Sequence, residues 1–297
     1  MKTFELYFVD AFASKPFTGN PAAVCLVEYE GGLSEDEKQK IATEMNQAET
    51  AFIQLLNPGD TFEKASKFKL QWFTPVMEVN LCGHATLASS ATLFRVKGNN
   101  NDSIKFQTRS GRLIAKKKGD CIAINLPINR CNSELPQDTD EIVQLVVGAH
   151  KPIDVQFAPG ANSEILVRLP DDVSRTEFEA ICPDMHGLLQ VYNFKGAPGV
   201  ILTVKGNKDT GAVDEGGRPF DFLSRYFDPW NGIPEDPVTG AAHCVLAAYW
   251  QKILGKETFY ARQCSKRGGN LEVCILDGDR VELAGTVAVI FKGTIRL

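Results

Sequence analysis

Glu49, Cys82, His84 and Asp236 are the residues whose types and settings could move a proton or attack a carbon centre. Glu49 lies in MNQAETAFI, flanked by Ala48, Ala51 and Phe52 at the start of an expected strand. A carboxyl in apolar surroundings has a raised pKa and can act as both base and acid near neutrality. The plainer alternative is a solvated loop carboxylate. His84 and Asp236 stand at the mouths of two helical stretches, where an imidazole and a carboxylate could orient a substrate or pass protons. Helix capping is an equally physical role for Asp236. Cys82 beside His84 suggests a thiol nucleophile activated at a helix N-terminus. Residues two apart on a helix or turn do not face each other, so the spacing disfavours that pair. His243, inside the second stretch, reads as a hydrogen-bonded core histidine. With no C-x-x-C pair and no His or carboxylate pairing at i and i+4 on an expected helix, no metal is expected.

The elements that must position these residues follow from the pattern of the chain. Strands are expected at FELYFVD and AAVCLVE around the turn KPFTGNP, then at TAFIQLL and FKLQWF. Between the two pairs, Ser34 and Glu37 form a capping box that opens a helix running through Ile41 and Met45. From Val79 to Phe94 there is no charged residue, and a helix beginning near Gly83 or His84 would be apolar or small on every face. Such a helix, too short to cross a membrane, must be surrounded by protein. Strands resume at IKFQT, RLIAKK and CIAINLP.

The second half repeats the plan. A polar helix is expected from about Ser174 to Met185, with strands at VILTVKG and DFLSRYF. The stretch EDPVTGAAHCVLAAYW follows, uncharged from Pro237 to Gln251, and then strands with a hairpin turning at Asp277 and Gly278. Gly83 and Gly240 hold equivalent places about half the chain apart, which implies two lobes of one architecture. Two helix N-termini facing a common cleft would offer backbone N–H groups and partial positive charge to a carboxylate or a developing enolate. The glycines would permit the close backbone approach that such a site requires.

Charge and composition exclude other classes. With 32 Lys and Arg against 37 Asp and Glu, the formal net charge is -5, and the chain lacks the basic footprint of a nucleic-acid or anionic-membrane partner. The clusters Lys116 to Lys118 and Arg262, Lys266, Arg267 read as solvated faces, with anion binding as the alternative for the second. The apolar start is interrupted by Glu5 and Asp10, so no signal peptide is expected, and no apolar run reaches a membrane span. Eight dispersed cysteines favour reduced thiols and hence a cytoplasmic location.

Taken together, FTGNPAAV, MNQAETAF, QWFTPVMEVNLCGHATLA, EDPVTGAAH and QCSKRGGNL resemble the phenazine-biosynthesis-like (PhzF-type) family, in order from residue 17 to 271. The resemblance implies an α+β, diaminopimelate epimerase-like fold. In it, two similar lobes each curve a barrel-like sheet around a buried central helix, with the active site between them. The expected lobes are 1–117, with 287–297 as a candidate strand of the same lobe, and 118–286. The resemblance also implies a homodimer and a cofactor-independent isomerase acting on a small carboxylate-bearing substrate. Its catalytic set would be Glu49, His84 and Asp236, with Glu49 carrying the proton from one carbon to another. Substrate-binding positions would be Gly83, Gly240, Ala241 and Asn20. Related racemases use two cysteines ahead of the central helices; here one place holds Cys82 and the other Thr239, so a two-thiol racemisation is unavailable. Ala241 stands where the family commonly has serine, which keeps the backbone donor and loses a hydroxyl. Two rival readings remain: a scaffold with weakened catalysis, and a cysteine hydrolase using Cys82.

Overall fold

Two compact units organise the chain in the computed structural model, which describes residues 2–29, 32–132, 134–160, 163–191 and 198–297. Unit 1 is Met1–Leu126 with Glu282–Leu297, and unit 2 is Pro127–Val281. The first half of the chain forms β1 (Thr3–Ala11), β2 (Asn20–Val27), α1 (Glu35–Met45), β3 (Thr50–Leu55), β4 (Lys67–Phe73), β5 (Glu78–Val79), α2 (Gly83–Ala91), β6 (Ser103–Thr108), β7 (Gly111–Lys118) and β8 (Cys121–Pro127). The second half forms α3 (Thr139–Val147), β9 (Asp154–Ala158), β10 (Glu164–Arg168), α4 (Arg175–Ala180), α5 (Met185–Val191), β11 (Gly199–Lys205), β12 (Phe222–Phe227), α6 (Gly240–Leu254), β13 (Thr258–Gln263), β14 (Gly269–Leu276), β15 (Arg280–Gly285) and β16 (Val287–Arg296).

The duplication expected from the glycine spacing is written in the strand pairings. In unit 1, β1/β2 is antiparallel, β2/β3 parallel, β3/β4 antiparallel, β4/β6 parallel and β6/β7 antiparallel. Unit 2 repeats the series through β9/β10, β10/β11, β11/β12, β12/β13 and β13/β14. Parallel neighbours need a crossover, and helices supply it at matching places: α1 and α2 in unit 1, α4 with α5 and then α6 in unit 2. The strand orders, β16-β1-β2-β3-β4-β6-β7-β8 and β14-β13-β12-β11-β10-β9, are open paths, so the barrel-like enclosure is not closed by hydrogen bonds.

Each sheet separates two packing layers by its period of two. In unit 1, Ala23, Cys25 and Phe52 pack with Ile41 and Ala42 of α1. On the sheet, α2 lies against β1, β2, β3 and β16, with all nine of its residues buried. Its hydroxyls remain tolerable there because Thr86, Ser89 and Ser90 each donate to the carbonyl four residues back, at 2.6, 2.7 and 2.7 Å. In unit 2, Ile165, Val167, Val200 and Leu202 pack with Ile142, Val146, Phe178 and Leu188 from α3, α4 and α5. Phe222, on the alternate register, stacks on Trp250 of α6.

Local chemistry sets the helix ends. Ser34 Oγ accepts from Glu37 N at 3.2 Å while Glu37 Oε2 accepts from Ser34 N at 2.7 Å, the expected capping box. Ser174 likewise caps α4, but the single helix expected to Met185 is two, because Pro183 cannot continue the hydrogen-bond ladder. No helix among the described residues is long and apolar enough to cross a membrane.

Candidate functional site

In unit 1, Asn20, Glu49, Cys82, Gly83 and His84 meet at the N-terminus of α2. The approach of β2 requires Gly19: its φ is +66°, and a Cβ there would lie 2.1 Å from the carbonyl oxygen of Ala11. Asn20 follows as the first residue of β2, fully buried, with its side-chain amide 3.1 Å from Nδ1 of His84. Glu49 immediately precedes β3, and its carbonyl accepts from Ala23 N at 3.2 Å, which ties it to β2. Its carboxylate Oε2 stands 3.2 Å from His84 Nε2, with the two side chains only 14% and 6% exposed. Glu49 is therefore not a solvated loop carboxylate. The 3.2 Å contact lacks hydrogen-bond alignment, and both atoms are without a hydrogen-bond partner among the described residues.

Cys82 changes the expected picture. Its Sγ lies 3.5 Å from His84 Nδ1, although the spacing argument held that the two side chains would not face each other. The two residues do not share one helix or turn. Cys82 is instead the N-cap, with extended backbone at φ −141° and ψ 113°, and its side chain swings across the first turn. Burial, followed by the Glu49 charge, pushes the thiol pKa up, with His84 a smaller opposing influence. The thiolate needed for attack is thereby disfavoured, so the case against a cysteine nucleophile rests on burial. For His84, burial opposes the charged form, but the neighbouring Cys82 sulfur and Glu49 carboxylate outweigh it and hold the imidazole well above its ordinary value. No side-chain cap serves the first-turn amides of α2, which begins at Gly83.

In unit 2, Asp236, Gly240 and Ala241 belong to the loop and first turn of α6. Asp236 is buried, and its backbone N–H donates to the carbonyl of Tyr226 at 3.0 Å. It is not the cap: Thr239 is the N-cap, makes no capping bond, and donates its hydroxyl back to Asp236 Oδ2. Gly240 and Ala241 open the helix, Ala241 without a hydroxyl. His243 is fully buried with Nδ1 2.7 Å from the Thr239 carbonyl, and burial lowers its pKa to about 4, which makes it a neutral core residue.

The loop before α6 is held by Gln263 and Ser265, which the sequence reading did not single out. Gln263 Oε1 accepts from Thr239 N at 2.8 Å, and its Nε2 donates to the Asp236 carbonyl at 2.8 Å and to Thr239 Oγ1 at 3.1 Å. Ser265 Oγ donates to the Pro237 carbonyl at 2.8 Å. Both lie in QCSKRGGN, beside the cationic Lys266 and Arg267. Gln263 sits between Arg262 and Cys264 in ARQCSKR, so its local sequence carries no signal of this role. Arg262 there donates to Asn270 Oδ1 at 2.8 Å.

Two similar halves, each with an uncapped central helix preceded by polar side chains, are the setting for the family comparison. The family model described as "Phenazine biosynthesis-like protein" matches residues 9–293. The chain belongs to this phenazine biosynthesis-like family. It is 44% identical over 292 residues to a phenazine biosynthesis-like domain-containing protein of Bos taurus, covering 98% of each chain. It is also 37% identical over 295 residues to an uncharacterized isomerase of Pseudomonas aeruginosa, covering 99% of this chain and 98% of that one. Among solved structures, a PhzF family protein of Enterococcus faecalis superposes with a TM-score of 0.79 at 32% identity, covering 100% of both chains. A hydroxyproline epimerase of Agrobacterium vitis, solved with bound trans-4-OH-L-proline, shares the fold at a TM-score of 0.54 and 11% identity, over 99% of this chain and 92% of that one. The phenazine biosynthesis-like fold is thus an epimerase-like α+β fold, as the sequence motifs implied.

Proposed function

We propose that this phenazine biosynthesis-like chain is a cofactor-independent isomerase that shifts a proton on a small carboxylate-bearing substrate, with Glu49 as the single acid/base. The observation that carries the reading is the Glu49 carboxylate: nearly buried, with Oε2 lacking a hydrogen-bond partner among the described residues, and beside His84 Nε2. A nearly buried carboxylate whose side-chain neighbour is a single imidazole is placed to remove a proton from carbon. His84 supplies positive character where negative charge develops, and the α2 first-turn amides suit a carboxylate or enolate oxygen. Glu49 then returns the proton to a second carbon. No electrons leave the substrate, so the reaction needs no redox group.

The family resemblance assigns Asp236, Gly240 and Ala241 to substrate polar groups, with one donor hydroxyl fewer at Ala241. The isomerase-named relative at 37% identity supports the reaction class. A cytoplasmic homodimer completes the proposal, supported on location by eight cysteines dispersed along the sequence without a C-x-x-C pair.

The test is incubation with candidate acids in deuterated water. Wild type should wash deuterium into a carbon position of its substrate, and Glu49→Gln should not. Undiminished incorporation by Glu49→Gln would overturn the assignment. Ala241 gives the scaffold reading its one support, and that reading gains if no acid exchanges with wild type.

A further inference from the structure

We propose that Glu49, Cys82 and His84 also form a binding site for a borderline-soft divalent cation such as zinc, and that occupancy blocks the Glu49 carboxylate. Blockade rests on the isomerase reading; binding itself does not.

One ligand atom from each of the three side chains falls within 4.8 Å of the other two. Thiolate, imidazole and carboxylate are the donors that zinc accepts, and three protein ligands with one open position form a familiar zinc arrangement. With metal–ligand distances of roughly 2.0 to 2.3 Å, tetrahedral donors stand about 3.3 to 3.7 Å apart. Glu49 Oε2 and His84 Nε2 are already 3.2 Å apart. Both atoms are buried and, apart from their contact with each other, lack a hydrogen-bond partner among the described residues, so a cation would complete a pair that no other group engages.

Cys82 is the donor that must adjust, since its sulfur sits 3.5 Å from Nδ1, on the other side of the ring from Glu49. Its extended backbone lies outside the helix, so the thiol is carried on one rotatable bond and leaves only its contacts with His84 and the Ala85 backbone when it turns. Rotation about the Cα–Cβ bond is therefore the motion that brings Sγ toward the Nε2 side. Asn20 supplies the outer support that metal-bound histidines ordinarily have. Its amide is 3.1 Å from Nδ1, and with the amide oxygen turned to that nitrogen, Nδ1–H donates and Nε2 presents its lone pair. A divalent cation would balance the thiolate and carboxylate charges in a buried place. Bound there, it takes up the oxygen lone pair that proton abstraction needs.

Cobalt(II) is the probe, because a cobalt–thiolate bond adds a sulfur-to-metal charge-transfer band in the near ultraviolet. The full chain, stripped with chelator and kept reduced, is titrated with Co2+. The expected result is saturable one-to-one binding with that band. Cys82→Ser should abolish the band and weaken affinity by more than about tenfold, and Glu49→Gln should weaken affinity comparably while retaining the band. Should Cys82→Ser fail to fold, as judged by circular dichroism, Cys82→Ala serves in its place. Absence of saturable binding by wild type overturns the proposal, as does a band that persists in the folded Cys82 variant. Metal binding is read without substrate, so a failure of the isomerase assignment would not disturb this result, nor would a failure here disturb that assignment.

Discussion

Nε2 of His84 lies 3.2 Å from Oε2 of Glu49, joining the N-terminus of the buried helix α2 to the residue that leads into β3. The pairing depends on Asn20 at the start of β2, because its contact with Nδ1 fixes the opposite edge of the imidazole. The three residues act as a chain, in which strand geometry orients an amide, the amide orients a ring, and the ring sets the surroundings of a carboxylate.

Replacing His84 by Gln should remove the cationic neighbour of Glu49 while leaving an amide of similar reach. Once a substrate is known, deuterium incorporation should fall by about 10²-fold, the low end for a group supporting general acid–base chemistry. Asn20→Ala should produce a smaller loss in the same direction, because the ring persists but loses its orienting contact. An Asn20→Ala loss exceeding that of His84→Gln, with both proteins folded, would contradict this order of dependence.

Gln263 should matter to unit 2 as Asn20 does to unit 1. Gln263→Leu removes one acceptor and two donated bonds around Asp236 and Thr239, and leaves the Thr239 N–H facing an apolar side chain. The expected cost is about 2 to 4 kcal/mol, from the desolvation penalty of orphaned groups. Gln263→Glu keeps the acceptor for Thr239 N and should cost less at a pH where its carboxyl is protonated. Urea unfolding of the two variants against wild type checks the ranking.

Glu164 gives a pH dependence whose sign can be stated in advance. Only 1% exposed, with Oε1 lacking a partner among the described residues, it has its pKa pushed from 4.5 to about 8, first by burial and then by the Asp228 charge. The folded protein retains this proton in a range where the unfolded chain has lost it. Its contribution is complete below about pH 4.5 and declines as pH rises towards 8, at up to about 1.4 kcal/mol per pH unit. Glu164→Gln removes the ionisation. It should therefore overtake wild type in stability as pH rises from 6 to 8, and equal pH dependence of the two in urea unfolding would refute this role for Glu164.

Much of the fold was legible because its signals are local. The capping box at Ser34, the uncharged runs beginning near Gly83 and Gly240, and the alternating strands follow from period, charge and turn chemistry. The helix α3 and the strands β9 and β10 were not anticipated. Among the candidate site residues, Glu49 and His84 stand out chemically against their neighbours and lie together in unit 1, and Asp236 stands out likewise in unit 2. The site was obscure where backbone geometry decides: the reach of Cys82 to His84 depends on an N-cap dihedral, and the grip of Gln263 on Asp236 spans a whole helix and strand. Helical spacing rules had no access to either.

Gly19 tests how tightly the site is tied to the backbone that carries it. Its φ of +66° alone would make alanine strained, and a new Cβ would also lie 2.1 Å from the Ala11 carbonyl oxygen and 2.9 Å from Ala13 Cβ. Both are close parts of the chain that cannot simply rotate away. Gly59 is the control, with φ +81° and open space around the added carbon, so Gly59→Ala carries backbone strain alone, about 1 kcal/mol. Gly19→Ala should cost at least about 2 kcal/mol more, since β1 and β2 must part to admit the methyl. Because Asn20 is next in the chain and touches His84, the displacement should also lower the cobalt affinity of the folded fraction. Equal unfolding free energies for Gly19→Ala and Gly59→Ala would mean that the close approach at Gly19 is relieved without disturbing the strand pair, and the link from this turn to the histidine would fail.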